Sequence, residues 1–244
     1  VKPPRIPLFI LALLCVDAIL VAVYLLNARM GHPLDRFTHQ HDLNNEGNFP
    51  AWLSSIKYLL AAGLLWFSVR TRIRKAEVRT WFLAFFPVVL VALSCDEVAQ
   101  IHESLGRRAD AAVLHTARES SMFANTGVWT LVIGIPAVVL IVGALFAIGR
   151  STFWKTGALW RFSLGMLVMF VGALGFETLS NFLPLQGGSV EIAFEEYFEM
   201  LGTTLMLWAA HDQARAELAE MIEIGKANAG TAKSSETAPT RRAA

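Results

Sequence analysis

The sequence predicts an all-α integral membrane protein of six transmembrane helices, with both termini cytoplasmic and a polar site in the outer half of the bundle. Three observations carry that prediction. Hydrophobic residues make up 55% of the 244-residue chain and charged residues only 17%, against about a quarter charged in soluble proteins. Apolar segments recur at 6–26, 51–69, 80–101, 128–148, 162–182 and 190–210, each close to the ~20 residues a helix needs to cross a ~30 Å hydrocarbon layer. Lys and Arg gather in alternate connections, which sets orientation.

The first span follows Lys2 and Arg5. Its apolar stretch exceeds a signal-peptide core and no A-x-A site follows, so it reads as a retained anchor, carrying Asp17 near its middle. The second span contains Lys57 and ends in RTRIRKAEVR (70–79), five basic residues against one Glu. The third, TWFLAFFPVVLVAL, runs into SCDEVAQIHESL and so ends in Asp96, Glu97, His102 and Glu103. The fourth is apolar throughout. GRSTFWKTGALWR (149–161) then supplies three basic residues before the fifth span, which closes on Glu177 and Asn181. The sixth contains EEYFEMLG, with Glu195, Glu196 and Glu199.

Connections 27–50, with two Arg against three acids, 107–127, nearly balanced, and 181–190, uncharged, are expected outside, and Trp residues fall near both boundaries, as an aromatic belt requires. Residues 211–226 read as a cytoplasmic helical extension. The segment 227–244 reads as a disordered tail, because its composition cannot bury a core. These features place the chain in a bacterial-type inner membrane. A net charge of +1 and the absence of a basic stripe imply membrane lipids as partners and no nucleic acid. Cys15 and Cys95 lie inside spans and read as apolar fillers, not a disulfide.

Depth follows from ~1.5 Å per helical residue. Counted from Trp81, Asp96 sits roughly 7 Å below the outer boundary; Glu177 matches it, Glu195 lies about 10 Å below that boundary, and Glu199 and Asp17 fall near the midplane. At ~100° per residue, Asp96, Gln100 and Glu103 share an arc of about 60°, while Glu191, Glu195, Glu199 and Gly202 share about 80°. Such polar, small-residue stripes pack inward. The layer therefore holds many carboxylates, with Lys57 the one basic side chain in reach. Desolvation and repulsion require protons or bound cations to balance it.

Carboxylates with one imidazole are ligands for a divalent metal ion such as Zn, Mn or Fe. On this basis Asp96, His102, Glu103, Glu177, Glu195 and Glu199 are candidate ligands, and Glu97 or Glu196 the candidate general base acting on metal-bound water. The expected activity is metal-assisted chemistry on a lipid or other lipophilic substrate. A different reading makes the protein a cation- or proton-coupled transporter, with Asp17 and Glu199 carrying charge across the midplane. A third makes it a non-catalytic assembly or sensor subunit.

Plainer accounts exist for several of these residues. His102 and Glu103 suit any helix leaving the membrane, Glu191 suits a helix N-terminus, and Lys57 can simply neutralise one acid. His39 and His41, in HQHD, form a two-histidine loop pattern that is weak evidence for metal. No Glu-x-x-His pair, H-E-x-x-H, G-x-S-x-G or phosphate-loop motif is present.

Overall fold

The computed structural model describes residues 6–36, 40, 42–43, 47–73, 84–114, 121, 123–124, 126–149, 157–182 and 188–236. His39, His41 and His115, along with most of the two basic connections, lie outside them. Among the described residues all regular structure is helical. The order is α1 (Leu8–Arg29), α2 (Phe49–Ile73), α3 (Phe85–Ala99) and α4 (Ile101–Val113), then a π-helical segment Thr130–Gly134 leading into α5 (Ile135–Gly149). After these, α6 (Ala158–Phe170) passes through a second π-helical segment, Val171–Phe176, into α7 (Glu177–Ser180), and α8 (Ser189–Glu236) ends the fold.

Local chemistry explains several boundaries. Pro7, extended, precedes α1 and contributes no donor where a helix start needs none. Asn48 starts α2 by accepting the Ala51 amide at 2.8 Å, while its own amide donates to the Asp42 carbonyl at 2.7 Å. Gly157 supplies the positive φ of 74° that turns the chain into α6.

Four stretches among the described residues are long and apolar enough to cross a membrane: Leu8–Arg29, Phe49–Arg72, Thr130–Ala147 and Ala158–Ser180. A fifth exists if α3 and α4 count as one broken span. This is the composition of a multi-pass membrane protein, and it departs from the expected six in two places. The helix of the predicted third span, 80–101, does not run on to Glu103: Gln100 adopts a left-handed conformation (φ 52°, ψ 43°), and α4 leaves α3 at 78°. The shared arc of Asp96, Gln100 and Glu103 therefore does not exist. The predicted sixth span is the start of a single 48-residue helix, whose first turns carry Glu191, Glu195, Glu196 and Glu199 and so lack the composition of a lipid-facing span. That helix also continues through 227–236, the first part of the segment assigned to a disordered tail.

α8 forms the axis of the bundle, against which α1, α2 and α6 pack. Its approach to α6 is backbone-close. A Cβ built on Gly165 would lie 2.7 Å from the Gly202 carbonyl oxygen, and one on Gly202 would lie 2.6 Å from the Met169 amide nitrogen. Small residues at such a crossing replace side-chain interdigitation with backbone contact, the packing that serves helices in lipid. Tyr58, Leu65, Phe86, Phe162, Met166 and Met206 fill the interior around it. Large apolar side chains such as Val139, Phe146 and Trp160 face outward, at 66%, 72% and 71% exposure. Both cysteines are free.

The glycine crossing generates a prediction. Gly165→Ala or Gly202→Ala should lower stability by about 1–3 kcal/mol, the usual cost of overpacking. Gly143→Ala, where a Cβ meets nothing within 4 Å, should be neutral or slightly stabilising. Thermal unfolding of the three variants in detergent measures the contrast.

Candidate acidic site

An ion pair is wholly buried among the helices. Lys57 Nζ lies 3.0 and 3.2 Å from the two carboxylate oxygens of Asp17, and the pair is 1% and 0% exposed. The ammonium also donates to the Met200 carbonyl at 3.1 Å, and Thr204 Oγ1 donates to Asp17 at 2.8 Å. Three helices, α1, α2 and α8, are joined at this point. Lys57 is thus held by Asp17, and it also lies in electrostatic range of Glu97. Asp17 and Glu199 do not form a midplane couple: the partners of Asp17 are Lys57 and Thr204.

Toward the acidic end, the break at Gln100 organises the site. Asp96 closes α3 by accepting the Gln100 amide on its carbonyl at 2.8 Å. Its carboxylate then caps α4, with Oδ1 accepting the His102 amide at 2.7 Å and Oδ2 lying 2.9 Å from His102 Nδ1. One side chain thereby satisfies a helix start and orients an imidazole. The His102 ring packs on the Trp129 ring, with centroids 4.9 Å apart. Trp129 Nε1 in turn donates to Glu177 Oε1 at 2.9 Å. Asp96 and Glu177 are therefore linked through His102 and Trp129. Asn181 donates to Thr126 Oγ1 at 2.8 Å, which fixes the turn that carries Trp129.

The α8 acids complete the layer. Glu195 stands in electrostatic range of Glu177, Glu191 and His102. Glu199 stands in range of Glu196, Glu97, Glu195 and Glu177. Gly172 allows this approach: a Cβ there would lie 2.8 Å from the Glu195 carbonyl oxygen. Tyr58 shares a hydrogen bond with Thr203 and senses Glu97, Glu199 and Asp96. No group of three His, Cys, Asp or Glu side chains among the described residues is placed to hold a metal ion, so the metal-binding carboxylate cluster expected from the sequence finds no support there. Glu103 stands apart, its carboxylate paired with Arg107 at 2.9 Å and 42% exposed. As the first-turn acid of α4, it has the geometry of a helix-surface pair.

At the opposite end of the bundle, Arg72 donates to Glu217 Oε1 from Nε at 3.1 Å and from Nη2 at 2.9 Å. Gln213 adds a donor at 3.2 Å. Arg72 reads in the sequence as one charge of a basic loop, yet it is 6% exposed. Between this network and Lys57 lies a dry layer of Ala61, Ala62, Leu65, Met206, Leu207 and Ala210, none more than 4% exposed.

The sequence reading missed Trp129, Thr204, Arg72 and Glu217. Glu217 carried a usable signal: it lies on the stripe of Gln213 and Thr203 at helical spacing. Trp129, placed in the aromatic belt, offered none.

Residues 10–213 match a family model described as Domain of unknown function (DUF8692), and the chain belongs to that family. No curated protein and no solved structure matches it.

The double duty of Asp96 makes a prediction. Asp96→Asn keeps an oxygen able to cap α4, whereas Asp96→Ala removes cap and imidazole partner together. The Ala variant should be less stable than the Asn variant by about 1 kcal/mol, as read by thermal unfolding. Equal melting would show that the cap contributes nothing.

Proposed function

We propose that this is a multi-pass inner-membrane protein that couples movement of protons, or of a cation with them, to the acidic layer formed by Asp96, Glu97, His102, Glu177, Glu195, Glu196 and Glu199. The carrying observation is the Asp17–Lys57–Thr204 group, buried inward of that layer and joining three helices. Lys57 feels Glu97 as well as Asp17. Charged groups within a membrane-spanning bundle are by default read as marking ion and proton pathways.

In this reading the acidic layer loads from one face. Asp96 and His102 form an acid–base couple at its edge, and the Glu side chains of α7 and α8 share protons that their mutual repulsion makes favourable. The dry layer below Lys57 seals the path, so passage requires α8 to move against α2. Proton exchange needs only electrostatic proximity. Metal ligation needs three or more donors converging on one point, which the described side chains do not do. The proposed orientation puts the acidic layer outward and both termini in the cytoplasm, with the first part of α8 as a sixth crossing.

A second reading keeps the divalent ion and metal-assisted chemistry on a lipophilic substrate. It is favoured by the donor types brought into mutual range, Glu177, Glu195 and His102, which suit Zn, Mn or Fe.

Two measurements separate the readings. Wild-type protein in proteoliposomes carrying a pH-sensitive dye should show proton flux under an imposed gradient, and Glu199→Gln should abolish it. A silent wild type, across protons and common cations, sinks the transport reading. For the metal reading, Glu177→Gln should lower both metal content and melting temperature, with chelator reproducing the shift in the wild type. Without metal the same variant should melt at or above the wild type, because it relieves repulsion.

A further inference from the structure

α4 has two unlike faces. At ~100° per residue His102, Gly106 and Asp110 fall on one side, and Ile101, Leu105, Arg108 and Ala112 on the other. The first face is packed against the segment that leads into α5. His102 lies on the Trp129 ring, a Cβ on Gly106 would come within 2.9 Å of Trp129 Cβ, and Asp110 Oδ1 accepts the Val128 amide at 2.7 Å. The second face is open: Ile101 is 43% and Leu105 42% exposed, and Arg108 and Ala112 are exposed beside them.

From these two faces and the 78° bend we infer that α4 lies in the plane of the membrane as a lipid-contacting roof over the acidic layer. Its occupant is the phospholipid leaflet at that end of the bundle. A helix about 20 Å long that leaves the apolar α3 at 78° runs nearly parallel to the surface that α3 reaches. An open stripe of Ile and Leu interrupted by Arg matches the acyl–headgroup boundary, which takes the aliphatic side chains while lipid phosphate pairs with the guanidinium of Arg108. The outward surface of α3 is apolar as well, with Val88 and Val91 62% and 43% exposed. The angle of α4 is clamped by Asp96, which caps it and holds His102. A single contact therefore ties the seat of the helix in lipid to the edge of the site.

The inference rests on the membrane-spanning reading of the bundle, and the test separates the two. Full-length protein, with Cys15 and Cys95 replaced, is reconstituted in phosphatidylcholine–phosphatidylglycerol vesicles. Single nitroxide labels are placed at Ile101, Leu105 and Ala112, with a control at Val139 on the outward face of α5. Melting temperatures matching the unlabelled protein show that each variant is folded. Collision with oxygen and with a nickel chelate then reports depth. The three α4 labels should favour oxygen at one common shallow depth, with Val139 deeper. Preference for the chelate along α4 would overturn the inference and leave a water-facing helix. Depth that increases steadily from Ile101 to Ala112 would overturn it in favour of a crossing, and labels shielded from both reagents would do so in favour of a protein partner. A chelate-accessible Val139 would instead contradict membrane residence itself.

Discussion

The ion pair between Asp17 and Lys57 constrains everything around it. Moving two charges into a region without water costs several kcal/mol each, recovered only when geometry and further hydrogen bonds are good. Here both conditions are met: two close oxygens, the Met200 carbonyl and the Thr204 hydroxyl. The contacts come from α1, α2 and α8, so the pair fixes their rotation and register together. Lys57 also lies in electrostatic range of Glu97, so the pair is coupled to the acids a few turns away.

The second organising contact is the Asp96 carboxylate. A helix broken inside an apolar environment leaves backbone amides without partners, which lipid cannot satisfy. Asp96 answers this by accepting the His102 amide in the first turn of α4, and the same side chain holds the His102 ring against Trp129. Fold and site are thus coupled at one residue. The glycine contacts of α6 with α8 act in the same direction, because Gly165, Gly172 and Gly202 bring the α8 backbone close enough for Glu195 and Glu199 to share a layer with Glu177.

Much of the architecture was legible in the sequence because hydrophobicity and length are direct physical requirements of a lipid solvent. The spans at 6–26, 51–69, 128–148 and 162–182 correspond to α1, α2, the segment into α5, and α6 with α7. The end of the third span is not legible because helical periodicity carries no signal for a break that a side-chain cap repairs: DEVAQIH, about two turns long, looks like unbroken α3. The composition of α8 was visible, but not that one helix would serve as both bundle axis and extension. Within the site, the grouping of Glu177, Glu195 and Glu199 followed from depth. The pairing of Lys57 with Asp17 and the placement of Trp129 depended on helix order, which spacing does not encode.

The account turns on whether the Asp17–Lys57 pair is structural glue alone or the inner element of a proton path. A double-mutant cycle of Asp17→Asn, Lys57→Met and the combined variant, read for both unfolding free energy and proton flux in vesicles, tests this most directly. Each single change should cost about 3–5 kcal/mol by leaving a buried group without its partner, and the combined variant should recover most of that stability. The account predicts that the combined variant, though folded, carries no flux. Wild-type flux in a folded variant lacking both charges would contradict it and reduce the pair to a packing device.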